Sequence, residues 1–186
     1  MRKLLVFNQV SLDGYIADAG GDMSWAHKDD AEWREYVASN ASGEGELLFG
    51  RVTYEQMASF WPTPMAAQSM PVVAKRMNEA RKVVFSRTLD QATWHNTQLI
   101  KTDLAGTVRQ LKSQAGPGLV LMGSGSVVSQ LAQHGLVDEY QVVVNPLVLG
   151  SGKTMFEGVK KGFGLQLKDV RRFQNGNVVL SYSLAG

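Results

Sequence analysis

The spacing of apolar residues along the chain switches between strand-like runs and helical stripes. Lys3 to Val10 reads as a first strand, broken by Ser11-Leu12-Asp13-Gly14 and briefly resumed by Tyr15-Ile16-Ala17. Asp18 to Asp22 is glycine-rich and predicts a mobile surface loop. Asp29 and Asp30 can each cap a helix running to about Ser39, with Trp33, Tyr36 and Val37 on its inner face. Glu46 to Phe49 is a short strand, and Gly50-Arg51-Val52-Thr53-Tyr54-Glu55 opens another helix. The proline-enriched stretch Ser59 to Pro71 predicts a loop, followed by a short helix over Val72 to Ala80. Lys82 to Phe85 and Gln98 to Lys101 read as strands, and Leu104, Val108 and Leu111 keep helical spacing until Gly116-Pro117-Gly118.

The pattern is sharpest from Leu119 to Tyr140. Leu119 to Met122 has the length of a strand buried on both faces and stops at Gly123-Ser124-Gly125-Ser126. Val127, Val128, Leu131 and Ala132 then form one helical stripe, closed by Gly135. Glu139 to Leu149 is a long valine-rich strand in which Pro146 implies an edge or a bulge. Asn175-Gly176 joins Leu167–Phe173 to Val178–Leu184 as a hairpin. Strands alternating with helices and closed by a hairpin imply an α/β fold with one mixed, mostly parallel sheet flanked by helices.

Composition narrows the classes. At 186 residues the chain fits a single domain, 1–186, with a proper core. No apolar stretch approaches a membrane span, and the N-terminus reaches Asn8 and Gln9 too soon for a secretory signal, so a soluble, cytoplasmic chain without a membrane partner is expected. Cysteine is absent, which removes disulfides and thiolate chemistry, and His27, His95 and His134 have no metal-ligand spacing, so no metal is expected. A net charge of +2 is too small to argue for nucleic acid.

The candidate chemistry lies in the turns. A helix approached by glycines presents free N–H groups and the positive end of its dipole, which suits a phosphate or pyrophosphate; the same small residues also permit a tight turn and nothing more. Val128 stands where a dinucleotide fingerprint needs its third glycine, so a nucleotide site here belongs to a different fold. Gly50, Ser86 and Gly123 all fall at the carboxyl ends of strands, the usual place for a ligand crevice. Gly150-Ser151-Gly152-Lys153-Thr154 imitates a P-loop, but Leu147 replaces the first glycine and the following residues make a poor helix, leaving a nucleotide triphosphatase as a remote reading.

These residues resemble dihydrofolate reductase, and more closely the reductase domain of the bifunctional riboflavin-biosynthesis enzyme. The resemblance rests on Ser11 to Ala17, Gly50 to Glu55, Phe60-Trp61-Pro62, Val84 to Leu89, Gly123-Ser124-Gly125, Gly135 to Glu139 and Pro146 to Gly152, in that order. It implies a three-layer sandwich, a small-molecule substrate and an NADPH-dependent hydride transfer to a C=N or C=O bond of a pterin-like or pyrimidine-like compound, or a non-catalytic NADPH-binding module of the same fold. By this likeness Gly50, Arg51, Val52 and Thr53 hold cofactor phosphates and Ser86 and Arg87 lie beside the adenosine ribose. A guanidinium fork there suits a 2′-phosphate, which favours NADPH over NADH. Gly123, Ser124, Gly125 and Ser126 would cradle the pyrophosphate, with Gln9 and Ile16 lining the nicotinamide pocket. Trp25, Asp30 and Trp33 reproduce the spacing of the substrate pocket, which makes Asp30 a candidate acid and the tryptophans candidate substrate contacts. Asp13 is a second candidate acid; a helix cap and a turn residue are the plainer roles of Asp30 and Asp13. The family often forms homodimers, and Met70, Val72 and Val73 with the strand Val142 to Leu149 are a candidate face.

Overall fold

The computed structural model describes residues 1–26, 30–41 and 43–185. Its first half contains β1 (Leu4–Ser11), β2 (Tyr15–Ala17), α1 (Ala31–Ala41), β3 (Glu46–Gly50), α2 (Arg51–Phe60), α3 (Pro64–Ser69), α4 (Pro71–Glu79), β4 (Lys82–Phe85) and β5 (Thr97–Ile100). The second half adds α5 (Leu104–Ser113), β6 (Leu119–Met122), α6 (Gly125–Gln133), β7 (Glu139–Asn145), β8 (Lys153–Thr154), β9 (Leu165–Arg172) and β10 (Val178–Leu184). Eight strands form one sheet in the order β5-β4-β3-β6-β1-β7-β10-β9. The pairings from β5 to β7 are parallel; β10 and β9 are antiparallel.

Side-chain alternation divides the core between the two sheet faces. Leu4, Val6, Leu48 and Leu121 join Val108, Leu111, Val128 and Leu131 of α5 and α6. On the other face Leu47, Phe49 and Val84 pack with Tyr54, Val73 and Met77 of α2 and α4, while Val143 and Val179 pack with Trp33 of α1. The expected α/β three-layer arrangement follows. Among the described residues, no helix is long and apolar enough to cross a membrane.

Three expectations need correction. The stretch Ser59 to Pro71 contains α3, because Thr63 accepts the Ala66 N–H and Pro64 occupies the first turn, where a missing donor costs nothing; α4 then begins on Pro71. The valine-rich strand ends at Asn145, so Pro146 stops β7 rather than marking an edge, and β7 lies between β1 and β10. The P-loop reading fails because Lys153 and Thr154 form β8 against β2, with no helix following. Asp29 lies outside the described residues, so the cap shown is Asp30 alone.

Buried charge holds the amino ends of the strands. Glu46, at the start of β3, pairs with Arg2 at 2.5 Å and Arg81 at 2.9 Å, and the Arg2 and Glu46 side chains are each 4% exposed. Lys112 of α5 donates to Asp138 and to the Leu136 carbonyl, while Asp138 accepts the Leu4 N–H. Lys82 is wholly buried and donates to the carbonyls of Met77, Asn78 and Ala80, closing the end of α4. Removing one member of a buried pair strands the other charge, a loss of roughly 3–5 kcal/mol. Glu46→Ala is therefore expected to lower the urea midpoint by that order without changing the slope of the transition; a shift near zero would mean that Arg2 is readily re-solvated.

Candidate cofactor and substrate site

β4, β3 and β6 lie side by side and parallel, with Phe85 opposite Gly50 and Leu48 opposite Leu121. Their chains therefore leave the sheet along one edge, at Ser86, Arg51 and Gly123. Two helices start there, α2 directly after Gly50 and α6 directly after Ser124. The Ser124 hydroxyl joins them: its oxygen accepts the Gly50 N–H at 2.7 Å, and it donates to Thr53 Oγ1 at 2.9 Å. That contact explains the small residues. A Cβ on Gly50 would stand 2.6 Å from Ser124 Oγ, and one on Gly123, which has φ +62°, would stand 2.5 Å from Thr53 Oγ1. Ser124 itself sits at φ 54°, a left-handed conformation that costs a non-glycine residue of order 1–3 kcal/mol.

Helix caps distinguish this edge from the rest of the molecule. Asp30, Thr63 and Asp103 each cap a helix start with a side-chain oxygen. The starts of α2 and α6 have no side-chain cap, and α4, the other uncapped helix, begins with a proline that has no N–H to satisfy. The first-turn donors of α2 and α6 thus gather side by side with two dipole ends, as an anionic group requires. Gly125 is walled by the Thr154 carbonyl, by Met155 and by Ile16, whose Cδ1 would lie 3.0 Å from an added Cβ. Ser86 Oγ accepts the N–H groups of Thr88 and Leu89, shaping the turn that leaves Arg87 exposed. Arg51 forms an exposed pair with Glu55 at 2.9 Å, Val52 is half exposed, and Ser126 is exposed at the start of α6.

Next to β6 in the sheet come β1, which carries Gln9, and β7, over which α1 packs; the substrate-side candidates Asp30 and Trp33 lie at the start of and on α1, and Trp25 in the turn before it. Asp30 does two things at once. Its Oδ1 accepts the Glu32 N–H at 3.0 Å as a helix cap, whereas Oδ2 is buried with no hydrogen-bond partner among the described residues. Trp33 is core, 6% exposed and edge-on to Phe173 at 5.0 Å. Trp25 lies in a short helical turn, with its indole N–H on the Asp22 carbonyl at 3.2 Å. Gln9 accepts from Asn145 Nδ2 at 3.3 Å. Asp13 is fully engaged elsewhere: it accepts from the Ser11 hydroxyl and from the Leu149 and Gly150 N–H groups, and the Ser11 bond above all holds its carboxyl below the usual range. A carboxylate stabilised in its charged form ties the 147–150 turn to β1 and is a poor proton donor.

Sequence reasoning missed Asn145 and Asn177. Both are wholly buried; Asn145 Oδ1 and both side-chain polar atoms of Asn177 have no partner. Asn145 follows Val143 on the sheet face beneath α1, and Asn177 precedes Val179 on the same face. Asparagine before proline and beside glycine reads as a turn former, so only the strand register reveals this placement.

Residues 2–179 match the family model of the RibD C-terminal domain. The chain belongs to the RibD C-terminal domain family. Among its relatives, the uncharacterized protein YyaP of Bacillus subtilis (strain 168) is 27% identical over 186 residues, covering all of this chain and 96% of YyaP. A diaminohydroxyphosphoribosylaminopyrimidine deaminase/5-amino-6-(5-phosphoribosylamino)uracil reductase from Thermotoga maritima superimposes with a TM-score of 0.67 at 17% identity; the match covers 99% of this chain and 57% of that protein. Dihydrofolate reductase from Enterococcus faecalis, complexed with NADP(H) and RAB-propyl, superimposes with a TM-score of 0.66 at 13% identity over 99% and 97% of the two chains. This RibD C-terminal domain chain therefore has the dihydrofolate-reductase-like fold, and those structural neighbours are reductases.

Two outcomes follow from the hydrogen bonds at this edge. Ser124→Ala leaves the Gly50 N–H and Thr53 hydroxyl without their partner and should cost roughly 1–3 kcal/mol in chemical denaturation. Asp13 has a folded-state pKa below its unfolded value, so its tether is complete above the unfolded value of 3.8 and is lost as pH falls through the lower folded value. The Gly150 amide resonance should report a midpoint below 3.8 that disappears in Asp13→Asn; a midpoint at or above that value would remove the tether.

Proposed function

We propose that the chain is an NADPH-dependent reductase delivering hydride to a C=N or C=O bond of a pterin-like or pyrimidine-like small molecule. The observation that carries this reading is the pair of uncapped helix starts, α2 and α6, locked together by Ser124 at the carboxyl edge of the sheet. The fit is chemical: first-turn donors of two helices, with Ser126 beside them, suit a pyrophosphate, and the exposed guanidinium groups of Arg51 and Arg87 suit a further phosphate on the ribose. The Thermotoga neighbour's description as a uracil reductase and the Enterococcus enzyme's complex with NADP(H) support the same class for this chain.

Bound NADPH would supply the hydride. The chain's own residues would orient and protonate. Ile16 borders Gly125 of the α6 turn and Gln9 is hydrogen-bonded to Asn145, and in this reading the two would hold a flat ring. Asp30 offers a buried oxygen, already fixed in direction by the bond of its other oxygen to Glu32, and Oδ2 could hold a proton for the nitrogen beside the reduced carbon.

Titration with NADPH and NADH, followed by tryptophan fluorescence, tests the cofactor side. Arg51→Ala and Arg87→Ala should each weaken NADPH about tenfold, or ~1.4 kcal/mol, with little effect on NADH; equal losses for both nucleotides would remove the 2′-phosphate assignment. NADPH oxidation in the presence of dihydrofolate or a ribosylaminopyrimidine tests the chemistry. Asp30→Asn is expected to slow turnover by about 10²-fold or more while leaving NADPH affinity unchanged. NADPH binding without turnover of either compound would instead support a binding module.

A further inference from the structure

Among the described residues, buried side-chain atoms without a hydrogen-bond partner gather towards one end of α1. Asn40, late in that helix, donates to Gln141, whereas Trp33 packs on Val143, so α1 runs opposite to β7 and its start lies towards Asn145. Asp30 Oδ2, Asn145 Oδ1, Asn175 Nδ2 and both polar atoms of the Asn177 amide are the unpartnered atoms there. The strand register brings the asparagines together. Val178 pairs with Val144, which puts Asn177 opposite Asn145, and the Phe173 N–H on the Asn177 carbonyl sets Phe173 on its other side. The approach is close: a Cβ on Gly176, the residue before Asn177, would stand 2.9 Å from Cγ of Pro146. Trp33, edge-on to Phe173 at 5.0 Å, adds aromatic surface beside the amides.

The two amides are used differently. Asn145 directs its Nδ2 to Gln9 Oε1 and to the Val10 and Val143 carbonyls at 3.2 to 3.3 Å, which leaves only Oδ1 without a partner. Asn177 serves the fold through its backbone alone, its N–H on Asn175 Oδ1 at 2.9 Å and its carbonyl on Phe173. A wholly buried carboxamide that bonds nothing is a cost that folded chains seldom retain without cause.

We infer that Asn177, with Asn145 beside it, is a specificity-determining residue that reads the lactam edge, HN–C=O, of the ring to be reduced. A free carboxamide offers one acceptor and one donor side by side, the complement of a lactam. The neighbouring atoms narrow the choice. Asp30 Oδ2 and Asn145 Oδ1 are further acceptors; a phosphate or carboxylate would bring only more acceptors, whereas a neutral ring with N–H groups satisfies them. Both asparagines are wholly buried, so the ring reaches them by displacing the start of α1. The ion pair from that start to β9, Glu32–Arg171, is long at 3.7 Å and joins side chains 38% and 48% exposed, which makes it weak. The assignment deepens the reductase reading and rests on it for the chemistry; binding of the ring does not itself require NADPH.

Lumazine, a dioxo pteridine with lactam edges, and the matching diaminopteridine, which has none, are fluorescent probes of one shape. Each is titrated with the full chain, with and without NADPH, and followed by anisotropy. Asn177→Leu should weaken lumazine about tenfold or more and leave the diamino compound within about twofold. Its urea midpoint should stay or rise, because the side chain removed bonds nothing in the fold; a purely structural amide would lower it. Asn177→Asp keeps an acceptor and loses the donor, so it should weaken lumazine as well, and it stands in if the leucine variant does not fold. A wild-type chain without affinity for lumazine overturns the proposal. So do equal losses for the two pteridines, or an unchanged lumazine affinity in the variants. Lumazine read by Asn177 in a chain that does not bind NADPH would sink the reductase reading and keep this site; NADPH binding with no effect of Asn177 would do the reverse.

Discussion

One hydroxyl sets the geometry on which the candidate site depends. Ser124 Oγ binds the last residue of β3 and the first turn of α2 while its own backbone begins α6. Parallel strands bring their carboxyl ends to one edge in any fold of this class, but they do not dictate how closely two helix starts approach. Here the approach is so close that neither Gly50 nor Gly123 has room for a Cβ. The left-handed backbone at Ser124 is sustained by the same two hydrogen bonds, so the strain and the bridge form a single device. Its effect is to leave two sets of helix donors adjacent and uncapped, an arrangement whose stabilising partner must come from outside the chain.

The same economy governs the sheet as a whole. Its parallel part is buried on both faces, under α5 and α6 on one side and α1, α2 and α4 on the other. The antiparallel hairpin added beyond β7 widens the sheet without adding a helix over the second face. It extends the floor beneath α1 while leaving apolar side chains of β9 exposed on the other side. The floor beneath α1 and the exposed face are thus two sides of the same three strands.

Most of the architecture was legible because period and punctuation agreed: the β6-turn-α6 unit, the α1 stripe of Trp33, Tyr36 and Val37, and the hairpin at Asn175-Gly176 all appear as read. The alignment of Gly50, Ser86 and Gly123 along one edge was legible for the same reason, since it needs only parallel strands of similar length. What escaped notice depended on neighbours distant in sequence. Pro64 and Pro71 looked like breakers because proline is as acceptable in a first helical turn as in a loop, and only packing decides between them. Asp13 looked like a candidate acid, whereas its exposed carboxylate accepts backbone N–H groups of the 147–150 turn. The burial of Asn145 and Asn177 follows from register alone, which residue type does not announce.

Those asparagines bear on how stability and function are balanced. A buried polar atom without a partner costs on the order of 1–3 kcal/mol, so folded chains keep few of them without cause. Asp30 Oδ2, Tyr36 Oη, Asn145 Oδ1 and the Asn177 amide all belong to elements that meet beneath α1, where the packing is otherwise aromatic and aliphatic. Replacing either asparagine by an apolar residue such as valine would remove its unpartnered groups altogether. Their retention beneath α1 is what a site would need if it were to recognise a ring bearing both donors and acceptors. An all-apolar floor would be more stable and could not tell such a ring from a hydrocarbon of the same shape.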